Sequence, residues 1–425
     1  MTEKPRSSKS SRVLLAGITA VVTVVGLIVV ISTISHSIVS NDDERINALD
    51  NSKDECVVCH KRTTPGIVDQ YGHSSMASAD VTCRDCHEVE KNYPGSVEHE
   101  DTYVLGTPST AMCVDCHENE VAQFDQSRHA LPAYVAFAGA QDLSPELIAI
   151  YEAIPEGTFN PDRARNDIYH LEGPAVTRFA CESCHNIGRP AADGSVGECQ
   201  QCHLRHEFSL EQVRKPETCN ACHIGPDHPQ FEIYQESPHG ISYATTGDGW
   251  NWEAEPGTLT TLDFPAPTCA TCHMSGFGSQ ATSHDVGDRL TWYLFAPISE
   301  RRPNWQENKT KMQSVCGECH NNNFLDEFYT DGDALVEAIN AWVYESREII
   351  KPLQEAGLLT DAPFDEPIDF VFFELWHHWG RTAKFGAWMQ GADYTQWHGA
   401  YEILSDLAEL REMVEDKLQE IEPSH

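Results

Sequence analysis

All sixteen cysteines of this chain stand in Cys-x-x-Cys-His triplets. The eight are Cys56–Cys59–His60, Cys83–Cys86–His87, Cys113–Cys116–His117, Cys181–Cys184–His185, Cys199–Cys202–His203, Cys219–Cys222–His223, Cys269–Cys272–His273 and Cys316–Cys319–His320. At this spacing two thiols can bond the vinyl groups of a porphyrin while the next imidazole ligates its iron. A zinc ribbon also pairs its cysteines but needs no histidine after each pair, and a disulfide framework predicts none. Eight c-type haems follow, attached on the oxidising side of a membrane.

A relay haem takes a second axial side chain, whereas a catalytic haem keeps one position open. Beyond the eight motif histidines, and leaving aside His36 and His425, eleven remain. Seven of them, His73, His99, His129, His170, His206, His239 and His284, lie upstream of the C-terminal segments and outside the Asp227–His228 pair. Seven distal ligands for eight irons leave one iron open. His377, His378 and His398 could each replace one of the seven, so the pairing stays open at this point.

The elements that must hold these groups are expected to be mainly helical, with little strand. Motif starts are separated by 27, 30, 68, 18, 20, 50 and 47 residues, which excludes a solenoid period. Residues 41–330 read as a wrap around cofactors with no long regular helix. Within it, Gln141–Ile154 reads as a short helix with Ser144 as N-cap and Pro145 in its first turn. Residues 331–425 read as a C-terminal bundle of long helices for scaffold and subunit contact. Asp333–Leu359 places Leu335, Val336, Ile339, Trp342, Val343, Ile349 and Ile350 on one side. Pro367–Gln390 and Asp393–Ile421 follow, the last with Leu404, Leu407, Leu410, Val414 and Leu418 near a three-and-four spacing.

The N-terminus carries Lys4, Arg6, Lys9 and Arg12, then an uncharged apolar run from Val13 to Ile31. That run is about long enough to cross a bilayer core. Residues 1–40 are therefore expected to be a cytoplasmic tip and a retained single-pass anchor, with the rest periplasmic or extracytoplasmic. A net charge of −37 argues against nucleic acid as a partner, since phosphates would be repelled. The acidity suits solubility, or steering of a basic electron-transfer partner.

Several stretches resemble the hydroxylamine oxidoreductase family of octahaem cytochromes. They are Ser127-Arg128-His129-Ala130, His170-Leu171-Glu172-Gly173 ahead of the fourth motif, and the run from Cys219 through Asp227-His228-Pro229-Gln230 to Ser237-Pro238-His239-Gly240. Gly391-Ala392-Asp393-Tyr394-Thr395-Gln396-Trp397-His398-Gly399 is the last. Pro238 stands where a basic residue is expected. The resemblance implies that the fourth haem, on Cys181, Cys184 and His185, is the catalytic one, faced by Asp227 and His228. It implies a homotrimer of helical subunits. In oxidising members a neighbouring subunit's tyrosine is bonded to that haem, and Tyr394 is the candidate.

Such a site suits oxidation of hydroxylamine to nitric oxide or nitrite, with electrons leaving through seven bis-histidine haems to a cytochrome or a quinone-linked membrane partner. A carboxylate beside an imidazole suits the proton transfers, because imidazole as a class titrates near neutrality. The reverse reaction, nitrite or hydroxylamine to ammonium, and a pure electron conduit are the alternatives.

Overall fold

The computed structural model describes Leu49, residues 52–154 and residues 159–421. Helix dominates. Among the described residues the one sheet is three short antiparallel strands, Glu88–Val89, Val97–His99 and Thr102–Val104, with the last in the middle. The fold is thus mainly α, as the sequence implies.

The described residues form two compact units: those up to Cys83 with Arg205–Phe208, and those of Arg84–Leu204 with those from Ser209 onward. In the first, Asp54 caps helix Glu55–Thr63 by accepting from the Cys56 amide at 2.8 Å. The Tyr71 hydroxyl donates to the Val81 carbonyl at 2.6 Å.

In the second unit the helices before residue 305 are short, and capping side chains set their starts. Ser144 accepts from the Leu147 amide at 3.2 Å and opens helix Pro145–Glu152, as its sequence signals. Thr268 and Thr271 form a reciprocal capping box before Cys269–His273. Like Cys181–His185, that element is a single helical turn. An i, i+3 pair on one turn puts both thiols on one side, which is the geometry one porphyrin edge requires.

The C-terminal bundle is longer than its periodicity suggests. Helix Asn322–Glu355 has 34 residues and starts right after the eighth motif, capped by Asn321 onto the Phe324 amide at 3.1 Å. Helix Trp305–Cys316 precedes it, so residues 305–316 and 322–330 are regular helix where none was expected. Val336, Ile339, Val343 and Ile350 are buried as the pattern requires, with Leu335, Trp342 and Ile349 packed at their flank. The second and third segments are each interrupted by a π-helical turn, at Leu375–Trp379 and Gln396–Ala400. Leu407, Leu410 and Val414 join the core, but Leu404 is half exposed.

The membrane anchor requires correction. Among the described residues no helix is long and apolar enough to cross a membrane. Even Asn322–Glu355 carries Asp326, Glu327, Asp331, Asp333, Glu337, Arg347 and Lys351 along its length, a cost no bilayer core tolerates. The run Val13–Ile31 lies outside the described residues, and the single-pass placement built on it is withdrawn.

One polar cluster ties the loop before residue 302 to the bundle. Asn340 accepts from the Ser299 amide and donates to the Ser299 carbonyl, both at 2.8 Å. Lys384 is fully buried and donates to the Ser299 hydroxyl at 2.8 Å and the Ala296 carbonyl at 3.3 Å. Burial lowers the Lys384 ammonium from 10.5 to about 7, with the nearby Arg381 charge pushing the same way. Unfolding then takes up a proton between about pH 7 and the ordinary lysine range. Stability is expected to rise with pH across that window, by on the order of 1 kcal/mol per pH unit. Lys384→Met should flatten the rise between pH 7 and 9 in a thermal melt; an unchanged slope would assign it to other groups.

Candidate functional site

Five motif histidines have a ring hydrogen bond, four of them at Nδ1. His185 Nδ1 donates to the Ala133 carbonyl at 2.6 Å and His87 Nδ1 to the Leu105 carbonyl at 2.7 Å. His60 Nδ1 meets the Thr64 hydroxyl at 2.8 Å, His223 Nδ1 the Gln230 Oε1 at 3.2 Å, and His273 bonds the Val286 backbone. A carbonyl can only accept, so His185 and His87 carry their proton on Nδ1 and keep the Nε2 lone pair for a metal.

Three distal candidates face a motif histidine. Ring centroids are 5.8 Å apart for His129 and His223, 6.2 Å for His284 and His203, and 6.1 Å for His239 and His320. Two imidazoles each about 2 Å from a shared metal would put their centroids roughly 6 Å apart. Two glycines make these approaches. A Cβ on Gly188 would sit 1.8 Å from the Ala130 carbonyl, and one on Gly240 1.8 Å from that of Tyr234. Pro238 occupies the first turn of helix Pro238–Thr246, where its missing N–H costs nothing and Ser237 supplies the cap. His73, His99 and His170 are exposed and His206 is partly buried.

Thiols of separate motifs adjoin one another. Cys113 lies within hydrogen-bond reach of Cys199, Cys184 of Cys222, and Cys219 of Cys269. Weaker electrostatic contacts link Cys86 to Cys116, Cys202 to Cys219 and Cys272 to Cys316. The second, third, fifth, sixth, seventh and eighth motifs therefore form a continuous series, with the fourth branching from the sixth.

Asp227 and His228 arrive at this branch. Both act electrostatically on His185, and Asp227 on Cys184. The ring of His228 is 6.2 Å from that of His223 and 6.5 Å from that of Phe295. Its Nδ1 donates to the Ile224 carbonyl at 2.7 Å and lies 3.5 Å from Asp227 Oδ1. Three residues that sequence reasoning did not assign to the site surround the pair. Arg381 Nη1 is 3.5 Å from Asp227 Oδ2 and 2.9 Å from His377 Nε2, while Arg381 Nε donates to the Phe295 carbonyl at 2.9 Å. The Thr382 hydroxyl donates to the Pro226 carbonyl at 3.0 Å and pins the loop. Burial, then the Arg381 charge, lowers His377 to about 2, so its ring is neutral.

Tyr394 is elsewhere in the chain's own contacts. Its amide meets Glu236 Oε1 at 3.4 Å and its ring lies 5.2 Å from that of His398. Among the described residues no hydrogen bond or ring contact joins it to Asp227, His228 or His185. Trp397 and Tyr401 beside it are half exposed and face each other at 5.3 Å.

A family model described as "Seven times multi-haem cytochrome CxxCH" matches residues 165–367. Over those residues, a little under half of the chain, it is similar to the multihaem c-type cytochromes. A curated relative from Kuenenia stuttgartiensis, a probable nitrite reductase-hydroxylamine oxidoreductase fusion protein, is 25% identical over 353 residues, 74% of this chain. This chain spans 38% of that relative's length. A solved "hypothetical multiheme protein" shares its fold at a TM-score of 0.75 and 21% identity, covering 89% of this chain and 98% of its own. A Kuenenia stuttgartiensis reducing HAO-like protein complex shares it at 0.63 and 19% identity, covering 88% and 86%.

The chain's residues fit haem on grounds of their own. The paired histidine rings have the separation one iron requires, and the motif thiols share a face. Arg289 is buried beside Cys272 and His273; its two terminal nitrogens donate to the His273 and Ala281 carbonyls at 3.0 and 3.1 Å. Its Nε is buried with no partner among the described residues. A buried guanidinium with a donor to spare is what a porphyrin propionate would satisfy.

Proposed function

We propose that this chain is a multihaem cytochrome and an oxidoreductase of small nitrogen compounds, with eight haems and the fourth as its reaction centre, running in the reducing direction. The observation that carries the reading is the arrival of Asp227 and His228 beside His185, from the loop after the sixth motif. The direction draws support from the structural relative titled a reducing HAO-like complex and from the nitrite reductase in the curated relative's name. The reaction is NH2OH + 2 e− + 3 H+ → NH4+ + H2O, its electrons entering from a redox partner cytochrome or a quinone-linked protein through the motif series. The chain works as a trimer.

An open haem iron supplies a seat for the substrate nitrogen and the electrons. The protein supplies the rest. The Ile224 carbonyl holds the His228 Nδ1–H, so the doubly protonated ring would give its Nε2 proton to the departing oxygen as the N–O bond breaks and regain it from solvent. Asp227 biases that ring and is itself held by Arg381. Phe295 packs against both His228 and Arg381.

Oxidation of hydroxylamine is the second reading. Tyr394 favours it, because it stands beside the exposed Trp397 and Tyr401, where a second copy can reach it. Two measurements decide. An EPR spectrum of the purified protein should show one high-spin ferric haem; all irons six-coordinate would leave a conduit and no enzyme. Mass spectrometry of haem peptides should find Tyr394 unmodified, with ammonium formed from hydroxylamine under a chemical reductant. A Tyr394–porphyrin adduct, with no ammonium formed, would transfer the assignment to oxidation.

A further inference from the structure

Arg381 is the largest positive group of the site and is under-used by the protein around it. Its side chain is 12% exposed, in contact with the rings of Phe295 and Trp376 at 5.3 and 5.2 Å. Of its five donors, Nε is spent on the Phe295 carbonyl. Nη1 is split between the neutral His377 and Asp227, and the carboxylate oxygen is 3.5 Å away, long for an arginine–carboxylate pair. Among the described residues Nη2 makes no hydrogen bond. Arg163 adds a second positive charge that acts on both His185 and Arg381.

His377 supplies an independent sign. Its Nε2 accepts from Arg381, so its proton is on Nδ1, and Nδ1 is buried with no partner among the described residues. A buried unpaired donor is costly to keep unless a ligand satisfies it. The carboxylate of Asp227 does not fill this need, lying 3.9 Å from Nε2 on the ring's other side.

Hydroxylamine is uncharged and calls for no guanidinium. A small monoanion with two oxygens on one nitrogen does: its oxygens can accept from Nη2, the nitrogen of Arg381 that the protein leaves to spare.

We infer that Arg381, backed by His377, is the anion-binding residue that sets the substrate range of this site, admitting nitrite beside neutral hydroxylamine. This rests on the fourth haem being the reaction centre. Arg381 binds and orients; it carries no proton in the step itself.

The test is ligand binding to the holoprotein, read from the high-spin optical and EPR bands by rapid mixing in mildly alkaline buffer, with sodium nitrite and hydroxylamine as probes. Haem content per chain is measured first for the wild type, Arg381→Gln and Arg381→Lys. In Arg381→Gln the nitrite Kd should rise about tenfold to a hundredfold more than the hydroxylamine Kd, the worth of one charge-assisted hydrogen bond in a shielded site. Arg381→Lys should recover part of the loss, keeping the charge without the fork. If Arg381→Gln fails to load haem, the lysine variant alone decides, by a smaller change of the same sign. Equal changes for the two probes, or none for nitrite, overturn the inference while leaving the reaction centre in place. If neither probe shifts the wild-type bands, the reaction centre itself is refuted and the inference with it.

Discussion

His228→Ala is expected to slow conversion of hydroxylamine to ammonium by about 10² to 10⁴, the range a positioned general acid contributes. Haem content and the single high-spin signal should be retained, because His228 is anchored through its own loop and not through the bundle. Its ring is held by the Ile224 carbonyl at 2.7 Å, four residues back in sequence, and Asp227 approaches it less closely at 3.5 Å. Asp227→Asn should therefore cost less than His228→Ala. It removes the negative charge but leaves the ring's orientation and the Pro226–Thr382 clamp intact. Chemical rescue separates proton delivery from packing: added imidazole should restore part of the rate. Turnover within threefold of wild type would place the proton donor elsewhere, with His378, also on the π-helical turn, the next candidate.

What could be read from the chain before its structure follows from how local each signal is. The cysteine motifs and the Ser144–Pro145 helix start are decided within five residues, and both stand. The start of helix Asn322–Glu355 was harder to read. Its first turns carry Leu325 and Tyr329 inward, but Gly332 breaks the apolar period where Trp388 packs, 3.1 Å from any Cβ placed there. Asn321, directly after His320, was the overlooked cap. Leu404 fits the helical spacing yet is half exposed, since periodicity gives a face but not what covers it. Arg381 and His377 could not have been found by pattern. They lie some 150 residues from Asp227 on a helix whose sequence reads as packing, and a π-helical turn brings His377 round to Arg381.

The pairing of His129 with His223 carries the other large expected effect. The two rings are 5.8 Å apart, and burial, with the charge of His223 next, lowers His129 to about 3. An imidazole kept neutral this way is ready to ligate, with no proton to displace. His223 has a second neighbour, His228, at 6.2 Å, so two rings compete for the same role. Position decides between them. His129 lies in the Ser127–Ala130 turn, and Gly188, three residues after the fourth motif, lies against the Ala130 carbonyl, which fixes its backbone. His228 is one of the Asp227 cluster and keeps its own carbonyl anchor. His129→Ala is therefore expected to create a second high-spin haem, at the sixth motif, and to interrupt the series where the fourth branches off. Electron delivery to the reaction centre should fail even though Asp227, His228 and Arg381 remain. Hydroxylamine should still bind at the fourth site while turnover drops at least about tenfold, because a changed axial ligand moves a haem's potential by a large part of a range of about 0.8 V. If instead His228→Ala creates the new high-spin signal and His129→Ala does not, then His228 is the sixth iron's ligand. The proton donor would then have to be found among His377, His378 and Asp227.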